Sequence, residues 1–246
     1  MIDDRLARIR LMLGEEKLER LKNSFVVVVG LGAVGSYAVE GLARSGVGRL
    51  RLVDFDVVHA SNVNRQLYAL GSTLGRHKAD LARERVLDIN PHCRAEKMNV
   101  FADETTFDAI LEGKPDLVID AIDSLGPKSG LIAETIKRGL PLIASMGAAL
   151  RTDPTAIRIG PLGGVIGCPL AAKVRNLLRK KNTHLDFECV YSLEPVGELR
   201  KKRQLDPETA YFEKGRRRAA LGSLPTLTGI FGLTIANAAI QRLTAE

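Results

Sequence analysis

Three cysteines, Cys93, Cys168 and Cys189, are all the chain has, and none belongs to a C-x-x-C pair. A structural zinc held by four cysteines of one chain is thereby excluded. An odd, widely spaced set also argues against a disulfide framework and for a reducing cytoplasm. Aromatic side chains are scarce as well. Four tyrosines, seven phenylalanines and no tryptophan leave little to stack on nucleic-acid bases, and no base-reading motif is present. The most apolar stretch, 224–243, is interrupted by Pro225, Thr226, Thr228, Thr234, Asn237, Gln241 and Arg242. It reads as a buried core helix rather than a membrane span. The opening residues MIDDR contain no apolar signal-peptide region, so nothing suggests export.

What is present describes a globular α/β protein: 246 residues, 45% hydrophobic, with a mean hydropathy of zero. A single unit is expected over 1–246, with a nucleotide-binding core in 1–150 and an elaborated basic part in 151–246. Charge is unevenly placed. Between residues 170 and 220 there are thirteen basic side chains against seven acidic ones, nearly the whole of the net +7. Such asymmetry favours a polyanionic partner, because neutralising phosphates releases counterions.

The clearest motif is the stretch 25–56. Five apolar residues, Phe25 to Val29, have strand composition and run into Gly30, Gly32 and Gly35 at G-x-G-x-x-G spacing. Tyr37, Ala38, Gly41, Leu42 and Ser45 then recur at helical intervals, and a second strand, 50–53, ends in Asp54. This is a βαβ nucleotide-binding unit, with a phosphate expected at the glycine turn and a ribose at Asp54. Elsewhere the pattern predicts two short helices in 3–22 broken near Gly14, and further helices over 75–89, 105–111, 130–138 and 171–181. Strands are expected over 93–100, 117–122, 140–144 and 156–159. The alternation implies a Rossmann-like, doubly wound, mostly parallel sheet with helices on both faces. Ligands on such sheets bind beyond the carboxyl ends of the strands, so Asp54, Asp123 and the glycine turn should converge.

Asn62, Asn64, Arg65 and Gln66 (SNVNRQ), Lys78, and Asp120 and Asp123 (DAIDS) form an unusual charge set for a nicotinamide site. A triphosphate with a departing pyrophosphate needs cations on its oxygens and a carboxylate for magnesium, so the set suits adenylyl transfer. At these residues the chain resembles the ubiquitin-activating-enzyme-like (ThiF/MoeB-like) adenylyltransferases. That resemblance implies phosphate support by Gly30, Gly32 and Gly35, ribose binding by Asp54, phosphate contacts from Asn62, Arg65 and Lys78, and magnesium at Asp123. Arg8, in R-x-x-R before L-x-G, matches the arginine that reaches into the partner subunit, implying a homodimer.

The segments MGAALRTDPTAIRI (146–159), CPLAAKVRNLLRK (168–180), CVYSLEP (189–195) and GSLPTLTGIFGLTIA (222–236) resemble the tRNA threonylcarbamoyladenosine dehydratases. Ala156 and Cys168 stand where that family commonly has Lys and Asp. The resemblance implies ATP-dependent ring closure of N6-threonylcarbamoyladenosine at tRNA position 37, with the basic part holding the tRNA. Alternatives are an activator of a small ubiquitin-like sulfur carrier, or an ATP-binding partner of a cysteine desulfurase system. Cys189 matches the family's cysteine before S-x-E-P, and a buried structural thiol is the expectation for it.

Overall fold

The computed structural model describes residues 4–196, 204–205 and 219–245. Apart from two dipeptides, the basic segment 197–220 lies outside the described residues, including Arg200, Lys201, Lys202 and Arg203. Helices α1 (Ala7–Leu13) and α2 (Glu15–Asn23) meet at Gly14 and lead into β1 (Phe25–Val29), α3 (Gly35–Arg44) and β2 (Arg49–Val53). Next come α4 (Lys78–Ile89), β3 (Arg94–Met98), α5 (Phe107–Leu111), β4 (Leu117–Asp120), α6 (Leu125–Lys137) and β5 (Leu142–Ser145). The chain continues through β6 (Ile157–Pro161), α7 (Pro169–Lys180) and β7 (Glu188–Ser192). It ends with β8 (Gln204–Leu205), β9 (Ala219–Ala220) and α8 (Pro225–Leu243).

Seven strands form one sheet in the order β3-β2-β1-β4-β5-β7-β6. Every pair is parallel except β6 with β7. The order reverses between β1 and β4, which opens a crevice beyond their carboxyl ends. All five residues of β1 are buried, as a central strand covered on both faces requires. Val26 and Val28 face the core under α3, α4 and α8, while Phe25, Val27 and Val29 face the core under α5, α6 and α7. β8 and β9 form a separate antiparallel pair.

The doubly wound reading is thus observed, with shifts at several element ends. α6 begins at Leu125, five residues before the expected Gly130. Gly126 and Pro127 hide the start, yet both fall in the first helical turn, where no intrahelical N–H bond is needed from proline. β7 has no strong sequence signal, since only Cys189, Val190 and Tyr191 are apolar between Glu188 and Ser192. It forms because β5 offers it a parallel edge. The apolar stretch 224–243 is a core helix packed on α3. Among the described residues no helix is long and apolar enough to cross a membrane.

Contact between α3 and α8 depends on missing side chains. A Cβ on Gly232 would press on the Val34 carbonyl oxygen and sit 2.7 Å from Tyr37 Cβ, whereas one on Gly126 would meet nothing within 4 Å. Gly232→Ala should therefore cost about 1–3 kcal/mol through overpacking. Gly126→Ala should gain up to about 1 kcal/mol through helix propensity. Equal thermal shifts in the two variants would contradict this account of the helix contact.

Candidate active site

At the carboxyl end of β1 the chain turns on Gly30, whose φ of +90° only glycine adopts easily. A Cβ there would stand 2.8 Å from the Ala121 carbonyl, and one on Gly35 would collide with the Gly30 carbonyl oxygen. Gly30 thus lets β1 approach the end of β4, and Gly35 lets α3 close on the turn. Gly32 differs: an added Cβ would meet only the Gln66 side chain, 3.7 Å from its Nε2, so its outer side is open. No side chain caps α3. Among its first N–H groups, that of Ser36 donates to the Gly32 carbonyl at 3.0 Å, and a glycine turn leading into an uncapped helix N-terminus is the arrangement that receives a phosphate.

Asp54 ends β2 beside the turn. Its Oδ2 accepts the Leu31 N–H at 2.7 Å and its Oδ1 the Asp56 N–H at 2.9 Å. Desolvation raises the Asp54 carboxyl pKa, against the attraction of Lys78 and these two donors. Lys78, the first residue of α4, is 5% exposed and its Nζ donates to Asp56 Oδ2 at 2.5 Å. Asp56 also accepts the Lys78 N–H through its backbone carbonyl at 3.0 Å. Asp56 therefore ties the candidate ribose carboxylate to the candidate phosphate lysine, a role that sequence reasoning missed although the residue stands two positions from Asp54.

In the following loop, Asn62 is buried, and its Oδ1 accepts the His59 N–H at 3.2 Å. Arg65 Nη1 donates to the Ser61 carbonyl and to Asn64 Oδ1, both at 2.8 Å. The loop orders its own polar groups before any ligand arrives.

The two aspartates of DAIDS have separate surroundings. Asp120 and Lys128 are both wholly buried and pair at 2.7 Å, and Asp120 Oδ1 accepts the Ile122 N–H at 3.0 Å. Burial pushes the Asp120 carboxyl up, with Lys128 opposing. Asp123, three residues on, is exposed at the crevice rim. One exposed carboxylate suits magnesium whose other ligands are phosphate oxygens and water. Among the described residues no group of three His, Cys, Asp or Glu side chains would hold a metal unaided. Cys189 is wholly buried, and burial raises its thiol pKa, so as folded it is a structural thiol.

Beyond β5 and β7 the four C-terminal segments meet. The Leu150 N–H donates to the Gly222 carbonyl at 2.9 Å, and Arg151 Nη2 to the Gly167 carbonyl at 3.2 Å. The Glu194 carboxylate accepts the Thr152 and Asp153 N–H groups at 2.8 and 2.9 Å, which lowers its pKa. Asn64 Nδ2 reaches the Ser223 carbonyl at 3.4 Å, joining this junction to the Asn62–Arg65 loop. Arg8 is not brought to the crevice. It is exposed on α1, and its neighbour Leu6 packs on Gly46, beyond the opposite end of α3.

Breaking one partner of the Asp120–Lys128 pair leaves a buried charge alone. Lys128→Met should cost about 3–5 kcal/mol, and adding Asp120→Leu should recover much of that loss. Urea denaturation of the two singles and the double checks this; additive losses would contradict direct pairing.

A model of the ThiF family matches residues 4–246. The chain is 41% identical over 227 residues to a tRNA threonylcarbamoyladenosine dehydratase of Bacillus subtilis, covering 91% of this chain and 89% of that protein. It superposes with a TM-score of 0.84 and 32% identity on the crystal structure of the Escherichia coli tRNA N6-threonylcarbamoyladenosine dehydratase in complex with ATP. That match covers 98% of this chain and 93% of the other. Likeness to the Escherichia coli molybdopterin-synthase adenylyltransferase, 38% identical, stops at 55% of this chain and 53% of that protein. Family features therefore run through both halves of the sequence, and the chain belongs to the ThiF family, in its tRNA threonylcarbamoyladenosine dehydratase branch.

Proposed function

We propose that this protein is an ATP-dependent enzyme that dehydrates N6-threonylcarbamoyladenosine at position 37 of tRNA. The observation that carries the reading is the junction of four C-terminal segments beside the nucleotide crevice, because those segments separate this branch from activators of sulfur carriers. The chain acts as one unit, its 1–150 part taking ATP and its 151–246 part facing tRNA, in the cytoplasm. The threonyl carboxylate attacks the α-phosphorus of ATP and pyrophosphate leaves. Attack within the acyl adenylate then closes a ring and releases AMP, with net loss of water.

The glycine turn and the start of α3 receive phosphate oxygens, and Asp54 accepts the ribose hydroxyls. Arg65 and Lys78 stabilise negative charge that grows on the phosphates, and Asn62 holds the loop that presents Arg65. Asp123 would hold magnesium, which supplies charge neutralisation of the phosphates when bound.

Arg8 serves the site of a second subunit in a homodimer. Leu6 packs beyond the far end of ten-residue α3, and such a helix is about 15 Å long. That distance supports action in trans. Leu11 and Met12, 81% and 83% exposed on the same helix, offer an apolar face for the second copy. Cys189 would have to be uncovered before a cysteine desulfurase partner could reach it.

Release of AMP and pyrophosphate should depend on tRNA bearing threonylcarbamoyladenosine, with the product nucleoside lighter by one water in mass spectrometry. Release with unmodified tRNA, or only with a carrier ending in Gly-Gly, would reject the reading. Arg65→Ala should lower kcat about 100-fold with little change in ATP affinity. Mixing inactive Arg8→Ala and Arg65→Ala proteins should restore about a quarter of wild-type activity through mixed dimers with one intact site. No restoration after subunit exchange would exclude action in trans.

A further inference from the structure

Arg51, buried, and Arg175, half-buried, show what this protein does with guanidinium groups withdrawn from water. Arg51, 7% exposed, pairs with Glu96 and donates to the carbonyls of Ala109, Ile110 and Glu112. Arg175 donates to the carbonyls of Leu162 and Val165. Arg151 is more buried than Arg51, at 2% exposure, yet only its Nη2 is engaged, on the Gly167 carbonyl. Its Nε and Nη1 are buried with no hydrogen-bond partner. No carboxylate of the described residues forms an ion pair with it, although its charge helps to lower the Glu194 pKa. Glu194 is near, but its oxygens already accept from the Thr152 and Asp153 N–H groups and the Thr152 hydroxyl.

A dry cation with unfilled donors is costly in the free protein, and pairing with an anion removes that cost. Position identifies the anion. Arg151 lies in the connection from β5 to β6, where residues of the 146–159, 168–180, 189–195 and 222–236 segments or their immediate neighbours are hydrogen-bonded together. Ser223 links this junction to the Asn62–Arg65 loop through Asn64. The strand ends here are those of β5 and β7, on the far side of β4 from Asp54. A substrate lying across the sheet from the nucleotide would therefore come to Arg151.

We propose that Arg151 is a binding residue for an oxyanion of the tRNA substrate, either the threonyl carboxylate or a phosphate next to the modified nucleoside. The proposal rests on the tRNA reading above and adds the group that recognises the substrate's charge. At 2% exposure the guanidinium is reached only when its cover parts. Charge-assisted hydrogen bonds from Nε and Nη1 then hold the anion.

The test uses full-length wild type, Arg151→Met and Arg151→Lys. It measures melting temperature, ATP affinity, and affinity for one tRNA with and without threonylcarbamoyladenosine. Removing an unpaired buried charge should leave Arg151→Met melting at or above wild type, while affinity for modified tRNA falls about 10- to 100-fold. A loss confined to modified tRNA assigns the carboxylate; equal loss for both tRNAs assigns a phosphate. Unchanged affinity for both, or a loss confined to ATP, overturns the proposal. If Arg151→Met melts below wild type, Arg151→Lys decides. Weakened tRNA binding at wild-type melting temperature sustains the proposal, and full binding overturns it. Wild type that binds the two tRNAs alike and releases no AMP with either rejects the tRNA reading itself, an outcome distinct from discrimination that survives in both variants.

Discussion

The buried ion pair between Asp120 and Lys128 fixes the end of β4, and the nucleotide crevice depends on where that strand stops. With both groups wholly buried at 2.7 Å, the aspartate cannot turn to water, and its second oxygen holds the Ile122 N–H. That sets the backbone of Ala121, the surface on which Gly30 packs so closely that a Cβ would overlap it. β1 and β4 are then held together at the point where the strand order reverses, and Asp123 is left at the rim. Replacing the pair with apolar groups could be tolerated by the core. A turn that sets Asp123 at the rim, three residues on, needs directional bonds, which apolar packing does not supply.

Much of this was legible because it is local or periodic. β1, its glycine turn, α3 and β2 are contiguous in sequence, and their apolar runs and glycine spacing show within about thirty residues, although the contact that requires Gly30 is with the distant Ala121. The parallel sheet followed from alternation of short apolar runs with helical ones. The break at Gly14 was legible for the same reason, since Gly14 there takes a φ of +83°. Element ends were less legible. α6 is masked by Gly126 and Pro127, residues that read as a loop until their place in the first helical turn is known.

What could not be read depends on contacts between distant segments. Asp56 looks like one more surface acid until Lys78, twenty-two residues on, is found against it. Lys128 stands outside the helix expected over 130–138, and only its burial beside β4 shows that it answers Asp120. β7 exists because β5 has an open edge, a condition no window of sequence contains. Asn62 adds a second role to an expected one. Its place in SNVNRQ suggests a phosphate contact, and the fold shows that its oxygen also accepts the His59 N–H and so helps to shape the loop that bears Arg65.

The division of the fold follows the division of the chemistry. In the proposed reaction, ATP activation asks for the same groups whatever carboxylate is activated, and the candidate groups lie around the crevice between β1, β2 and β4. Substrate choice needs a surface that can vary without disturbing that crevice. On the proposed reading the strands beyond β4 provide it, since β5 is attached through a short register, β7 runs parallel to β5, and β6 alone reverses direction at the edge. Buried charge marks the same boundary. On the side of the glycine turn, Lys78 and Lys128 are matched to carboxylates within the chain. On the far side of β4, Arg151 has unfilled donors, and this difference is what its proposed role in binding the substrate requires. Stability is given up where a ligand must later contribute it.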